Sequence, residues 1–469
     1  MDPLSLTVAD AIGLLSATLL CTMHKVSTVE RVVDLIDPAK NILLNQSYEE
    51  ALARVASGDP AEVAKIDGQF AIVAREGKQV RFARSIGRPI RYFLAKRAEG
   101  PCLFVAERID EIRDALVREG LGDQFHPSYT RMVPAHHLLE LQLVGCPDPN
   151  PVTRRFFDPQ PNQLPADIET IGRKYIDTLA NECTRWLDSI DSREPIGVLF
   201  SGGIDSGSVL LVLYHLLLSR GENPARLKAF TLSVGGSDSH DAYQAQAFLD
   251  AVHLPMFLEV MSVPESRVDW RAAIGVLEDY KALDVQSATM AVALCREIRD
   301  HYPDWTWLVD GDGGDENLKD YPIEENPELT IRSVLNNQML YQEGWGVNAI
   351  KHSLVYSGGQ SRGHIRTSAP ATKFGFRGFS PYALPNVIEV AEGIPFIELT
   401  DWDHGKLYGL KGAVVRAGVQ ALTGIEMPTF EKERFQRGAV SHHVTRDLFP
   451  KTEQEYRDEF LRQFAPPRA

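Results

Sequence analysis

The chain has 469 residues, 44% of them hydrophobic and 24% charged, with a formal net charge of −15. That length can build two domains with separate cores, and the acidic balance excludes a general nucleic-acid binder, which needs a basic face. The five cysteines (Cys21, Cys102, Cys146, Cys183 and Cys295) are far apart and form no Cys-x-x-Cys pair. Disulfides and a cysteine zinc site are therefore not expected, and a reducing cytoplasm is.

The opening run "MDPLSLTVADAIGLLSATLLC" is apolar, but it lacks a basic leading region and carries Asp10. It reads as a buried helix, not a signal peptide, and no other run is long enough to span a bilayer. Residues 66–109 then predict short strands ("IDGQFAIVARE", "QVRFARS", "IRYFLAK", "CLFVAER") separated by turn residues, with a further strand at 136–144. The stretch 146–165, dense in proline and asparagine, predicts a connection between domains. Beyond it the rhythm changes. A helix over 168–188 leads to a strand at 196–200, a helix, a strand at 227–234, a helix near 240–252 and a strand at 255–261. Strands alternating with helices predict a parallel sheet covered on both faces.

Two loops in this second half carry chemistry. The strand 196–200 runs into Ser201-Gly202-Gly203-Ile204-Asp205-Ser206 and then a helix. Such a junction directs backbone N–H groups at an anion, the glycines allow close approach, and the Ser201 and Ser206 hydroxyls can donate to phosphate. Asp205 beside phosphate would be repulsive without a metal between them, which points to magnesium pyrophosphate. A plain helix cap with tight-turn glycines is the alternative. The second loop follows the strand "TWLV" and holds Asp310, Asp312, Asp315 and Glu316 among three glycines. Its carboxylates suit a hard cation, and their spacing does not fit an EF-hand. A solvated acidic turn is the competing reading.

Together the two loops resemble the N-type ATP pyrophosphatases of the asparagine synthetase family, which includes β-lactam synthetases and lasso-peptide macrolactam cyclases. Further segments are similar to that family: "FTLSVGGSDSHDAYQAQ" to its adenosine-binding strand, "GFRGFSPYALPNVIEVAEGIP" to its substrate-side segment, "FEKERFQRG" (430–438) to a late segment, and "EQEYRDEFLRQF" to its last helix. In the first half, "DGQFAIVARE", "FARSIGRPIRYF" and "FVAERIDEI" are similar to its glutaminase domain.

The resemblance implies an α/β protein. A glutaminase-like (Ntn-type) α+β domain over residues 1–160 would precede a parallel-sheet, adenine-nucleotide α-hydrolase-like synthetase domain over 166–469. It further implies an ATP-dependent, AMP-forming amide or lactam synthetase using ATP and Mg²⁺. Ser201, Gly202, Gly203, Asp205, Ser206, Ser233 and Asp312 would bind the nucleotide, and Asp205 and Asp315 the metal. Lys411 would stabilise transition-state charge, and Lys432 would hold phosphate.

Departures from the family pattern matter as much. The family's glutaminase works through an N-terminal cysteine, whereas this sequence begins Met1-Asp2-Pro3, and its usual Arg-Asp pair reads Arg84-Ser85. The first domain is therefore expected to be a scaffold without glutaminase activity. Family members without the cysteine use an amine already on a substrate, which favours that nitrogen source here. Arg377 stands where asparagine and β-lactam synthetases place a glutamate, and Phe379 where asparagine synthetases have an arginine. Arg377 is the candidate for gripping a substrate carboxylate, a surface position being the alternative. The aromatics of "KFGFRGFSPY" would suit an extended substrate unless they face the core. Lys411 precedes Arg416 by five residues where the family has four. The expected partners are a small-molecule or peptide carboxylate and an amine, without nucleic acid or membrane, and a homodimer is left open. Two competing readings are an asparagine synthetase fed with ammonia from elsewhere and a silent nucleotide-binding scaffold.

Overall fold

The computed structural model describes residues 31–144, 151–235, 239–320, 323, 330–339, 362–430 and 448–464. The opening apolar run, Cys21, Cys146 and Lys432, with most of the 430–438 segment, lie outside them.

Among the described residues, the first half contains ten strands: β1 (Arg31–Asp34), β2 (Ile42–Leu43), β3 (Gly68–Gln69), β4 (Ala71–Glu76), β5 (Gln79–Arg84), β6 (Arg91–Ala95), β7 (Cys102–Ala106), β8 (Arg131–Met132), β9 (His137–Gln142) and β10 (Val152–Arg155). They form two four-stranded sheets, ordered β1-β7-β6-β8 and β10-β9-β5-β4, with a small β2-β3 pair. Side chains alternate across each strand, and the alternation assigns the layers. Phe82, Tyr92, Leu103, Val105, Leu139 and Leu141 meet between the sheets, where the Phe82 and Tyr92 rings stack at 5.6 Å. Ala83, Ile72 and Leu138 face the helix Tyr48–Ser57. Phe93, Cys102, Phe104 and Ala106 face the helix Ile109–Arg118. The layers therefore run helix, sheet, sheet, helix. One expectation needs correcting: β10 lies inside the stretch read as a connection, because Val152–Arg155 completes the edge of the second sheet beside β9.

The second half is built on a five-stranded parallel sheet of β11 (Ile196–Leu199), β12 (Leu227–Val234), β13 (Leu258–Val263), β14 (Trp307–Val309) and β15 (Arg377–Phe379), ordered β13-β12-β11-β14-β15. The helix Ile168–Asp188 and β12 coincide with their predicted ranges; β13 starts later, since Pro255–Phe257 forms a 3-10 turn. The strand order reverses at β11 and β14. In such sheets the crevice outside the carboxyl ends of the two central strands is the ligand site, and both chemistry-bearing loops leave from there.

The halves share a core. Phe104 and Ile112 of the first pack in one cluster with Ile274, Val285, Tyr456 and Phe460 of the second. Glu278 clasps them: its Oε1 accepts from the Ile109 N–H at 2.6 Å at the start of the helix Ile109–Arg118, and its Oε2 pairs with Arg91 Nε at 3.1 Å. Among the described residues, no helix is long and apolar enough to cross a membrane.

Candidate functional site at the carboxyl end of the parallel sheet

β11 passes through Phe200, whose ring meets Phe248 edge-on at 5.4 Å, into the loop Ser201–Ser206. Gly202 has φ +73, the left-handed region, and a Cβ there would fall 2.7 Å from the backbone nitrogen of Ala245. No other residue type satisfies both conditions. The loop is cinched by its own hydroxyls: Gly203 N–H donates to Ser201 Oγ at 3.3 Å, and Ser201 N–H to Ser206 Oγ at 3.3 Å. Gly203 begins the 16-residue helix Ile204–Ser219 without a side-chain cap. The first-turn N–H groups thus have no capping oxygen from Gly203, which leaves the helix end suited to an anion.

The acidic loop lies directly against the first. A Cβ on Gly311 would fall 2.7 Å from the Ser206 nitrogen, and one on Gly314 would fall 2.5 Å from Asp205 Cγ. Gly313, at φ +104, makes the turn between them. Gly311 and Gly314 are thus required for the two loops to touch, and Gly313 for the turn.

Lys411 enters from the opposite side. Its helix, His404–Thr423, crosses Ile168–Asp188 at a glycine pair, where a Cβ on Gly418 would lie 2.7 Å from the Gly172 carbonyl carbon. This close crossing brings the Lys411 ammonium to Asp205 Oδ2 at 2.6 Å, into contact with Asp315 Oδ1, and to within 3.4 Å of Asp320 Oδ2. The side chain is 2% exposed. Burial works to lower its pKa, but Asp205, Asp315 and Asp320 outweigh it and hold the ammonium well above the ordinary lysine value. On this helix Lys411 faces the site, while Arg416 points outward to the exposed Glu426 at 3.7 Å.

Asp310 and Asp312 follow directly on β14 at its carboxyl end. Asp310 accepts from the Asp312 N–H at 3.1 Å. Burial pushes both carboxyls above the ordinary range, and for Asp312 the neighbouring Asp310 adds to the effect. The charge of Arg366, bound to Asp284 through Nε at 2.9 Å, counteracts it. Ser233 is buried one residue before the carboxyl end of β12. Behind the loops, Tyr382 joins its hydroxyl to Ser208 Oγ at 2.6 Å, and Asn317 Nδ2 donates to the Tyr382 carbonyl at 3.0 Å, tying the crevice floor together.

A divalent cation fits this donor set. Asp205 and Asp315, from different loops, already bracket a single positive charge, and two carboxylates completed by phosphate oxygens is how magnesium is commonly held. Among the described residues no three histidine, cysteine, aspartate or glutamate side chains form a self-sufficient metal cage, so the metal would need the phosphates as ligands.

Arg377 does not join the cluster. It opens β15, in register with Trp307 at the amino end of β14, so it stands at the other end of the sheet. Its guanidinium lies over the Trp307 ring at 4.4 Å and reaches the Ala39 carbonyl of the first half at 3.5 Å. The aromatics beside it are core residues: Phe379 is fully buried and stacked on Trp186 at 4.6 Å, and Phe376 and Tyr382 are buried too. In a parallel sheet, the residue opening a strand and those closing it face different ends of the molecule, so Arg377 and the acidic loops do not share one face. Sequence reasoning missed Asp320 and the Asp284–Arg366 pair. Neither sits in a spacing pattern, and each acquires its place only when separate helices and loops converge.

Residues 188–362 match the asparagine synthase family. Members of this family are ATP-dependent ligases. The matched asparagine synthase segment holds both loops and their acidic residues, whereas Lys411 lies beyond it. No curated protein matches the chain.

Proposed function

We propose that the protein is an ATP-dependent, AMP-forming amide synthetase that adenylates a substrate carboxylate and couples it to an amine. The observation that carries this reading is the meeting of Asp205, Asp315 and Lys411 at the switch point of the parallel sheet, beside the uncapped helix Ile204–Ser219.

The triphosphate would lie along Ser201–Ser206, with its charge met by the helix end and the loop N–H groups. Mg²⁺, held by Asp205 and Asp315, would supply charge neutralisation for the leaving pyrophosphate. A carboxylate oxygen of the substrate attacks the α-phosphorus, and the bond to the β-phosphate bridging oxygen breaks, releasing pyrophosphate. The amine nitrogen then attacks the acyl carbon, a C–N bond forms, the C–O bond to AMP breaks, and the amine surrenders a proton. Lys411, a buried permanent cation, is placed to stabilise negative charge as it develops on phosphorus and acyl oxygens. Holding amine and adenylate together supplies much of the remaining rate.

For the nitrogen source we favour an amine carried by a substrate. The helix–sheet–sheet–helix half, residues 31–155, would then serve as a retained glutaminase-like scaffold. Three described cysteines support this: Cys102, Cys183 and Cys295 are buried, and burial raises each thiol, Cys295 to about 12. None of the three would be a thiolate near neutrality. In Ser85, where the family resemblance calls for aspartate, the hydroxyl accepts the Phe70 N–H at 2.9 Å, a structural task.

The test is AMP and pyrophosphate release with ATP, Mg²⁺ and a panel of carboxylates and amines, with aspartate plus ammonium and glutamine included. Acid-dependent AMP that disappears in Asp205→Asn and Asp315→Asn supports the reading. Asparagine formed from aspartate and ammonium would make it an asparagine synthetase, catalytic glutamate formation would overturn the scaffold assignment, and silence with every acid would favour a nucleotide-binding scaffold.

A further inference from the structure

Lys411 stands where the metal should be. Its ammonium contacts both carboxylates assigned to Mg²⁺, and a cation bound about 2.1 Å from each of them would lie within repulsive distance of it. The lysine cannot simply give up its partners, because an ammonium with a 2% exposed side chain needs a counter-charge. A third carboxylate is in place. Asp320 Oδ2 lies 3.4 Å from Nζ, a few tenths of an ångström beyond a charged hydrogen bond. Asp320 is also tied to the metal loop, since its N–H donates to the Asp315 carbonyl at 3.0 Å. The turn that carries the metal ligand thus carries the replacement anchor.

We propose that Asp320 is a positioning residue that takes over the Lys411 ammonium when Asp205 and Asp315 engage a divalent cation. Lysine and metal then exchange at one place, and Lys411 moves by less than its own hydrogen-bond length, remaining beside the phosphates it is to stabilise. The inference rests on the metal reading above and adds to it a residue outside both sequence motifs' predicted ligands. In the nucleotide-free chain, the lysine competes with the metal, so the site fills with Mg²⁺ only weakly until phosphate oxygens add their share.

The experiment measures binding of Mn²⁺ alone to the full chain without nucleotide, by electron paramagnetic resonance of the free ion. Lys411→Met should bind one Mn²⁺ at least tenfold more tightly than wild type. Asp320→Asn should bind it several-fold more weakly than wild type, with Asp320→Glu restoring the affinity. In the Lys411→Met background, Asp320→Asn should have no effect, because Asp320 acts through the lysine. An equal loss in both backgrounds would make Asp320 a direct ligand or a diffuse charge and overturn the inference, as would no loss in either. Lys411→Gln repeats the comparison if the methionine variant does not fold. Asp205→Asn separates the two levels: if it leaves Mn²⁺ binding unchanged in every background, the metal reading itself falls, whereas an Asp205→Asn effect without an Asp320→Asn effect removes only the exchange.

Discussion

Replacing Gly418 with alanine tests how Lys411 is aimed. The new Cβ would fall 2.7 Å from the Gly172 carbonyl carbon and would press on Ile176. Ordinary contact needs about 3.4 Å or more, the Gly172 carbonyl oxygen would lie closer still, and a carbonyl inside a helix cannot move alone, so the helix His404–Thr423 must shift away from Ile168–Asp188 by more than an ångström. Overpacking of this kind costs roughly 1–3 kcal/mol. Alanine also gains about 0.5–1 kcal/mol over glycine in a helix interior, which opposes the loss. Gly409→Ala, on the same helix, isolates the packing term, because a Cβ there meets nothing within 4 Å. It should be slightly stabilising, and the two variants should differ by about 1–3 kcal/mol in urea unfolding. Gly418 lies seven residues from Lys411 on the same helix face, so the shift carries the ammonium away from Asp205. Misplacement by about 1 Å can cost on the order of 100-fold in rate. AMP formation with the acid identified from the panel should fall by that order in Gly418→Ala and remain intact in Gly409→Ala. Equal stability and equal activity in the two variants would refute the account of how Lys411 is positioned.

Other substitutions probe the remaining elements. Asp205→Asn and Asp315→Asn should each remove about 2–4 kcal/mol of transition-state stabilisation in pyrophosphate release; rates near wild type in both would take these residues out of the site. Glu278→Gln removes the carboxylate paired with the buried Arg91 at 3.1 Å and should cost roughly 3–5 kcal/mol of stability; a loss under about 1 kcal/mol would show that the clasp does not join the halves. Because burial raises the Asp310 carboxyl, the folded state holds that proton more tightly than the unfolded chain, so wild-type stability falls as pH rises from the ordinary value of 3.8 through the raised one. Asp310→Asn should therefore gain on wild type between pH 4 and neutrality, and a constant difference across that range would contradict the assignment. Arg377→Ala should lower stability by about 0.5–2 kcal/mol through the lost Trp307 and Ala39 contacts and leave the KM for the acid unchanged; a raised KM would return Arg377 to the substrate site.

Much of this was readable from residue order alone. Short apolar runs bounded by turn residues marked β4, β5, β6, β7 and β9, and the apolar runs of β11 and β12, alternating with helices, marked strands of a covered parallel sheet. The two loops were recognisable because a glycine–hydroxyl–carboxylate sequence between strand and helix is a local pattern, carried by neighbours in the chain. Distance along the chain hid the rest. Asp205 and Lys411 are 206 residues apart, and only the crossing of two helices at Gly172 and Gly418 makes them partners. Asp320 gains its meaning from that same convergence. Arg377 shows the same in another way: its residue type suits a carboxylate, and strand direction puts it at the amino end of the sheet against Trp307. Sequence specified which side chains could do the chemistry, since that is a matter of composition and local spacing. Which of them meet was decided by sheet order and helix packing, which are set by contacts between residues remote in the chain.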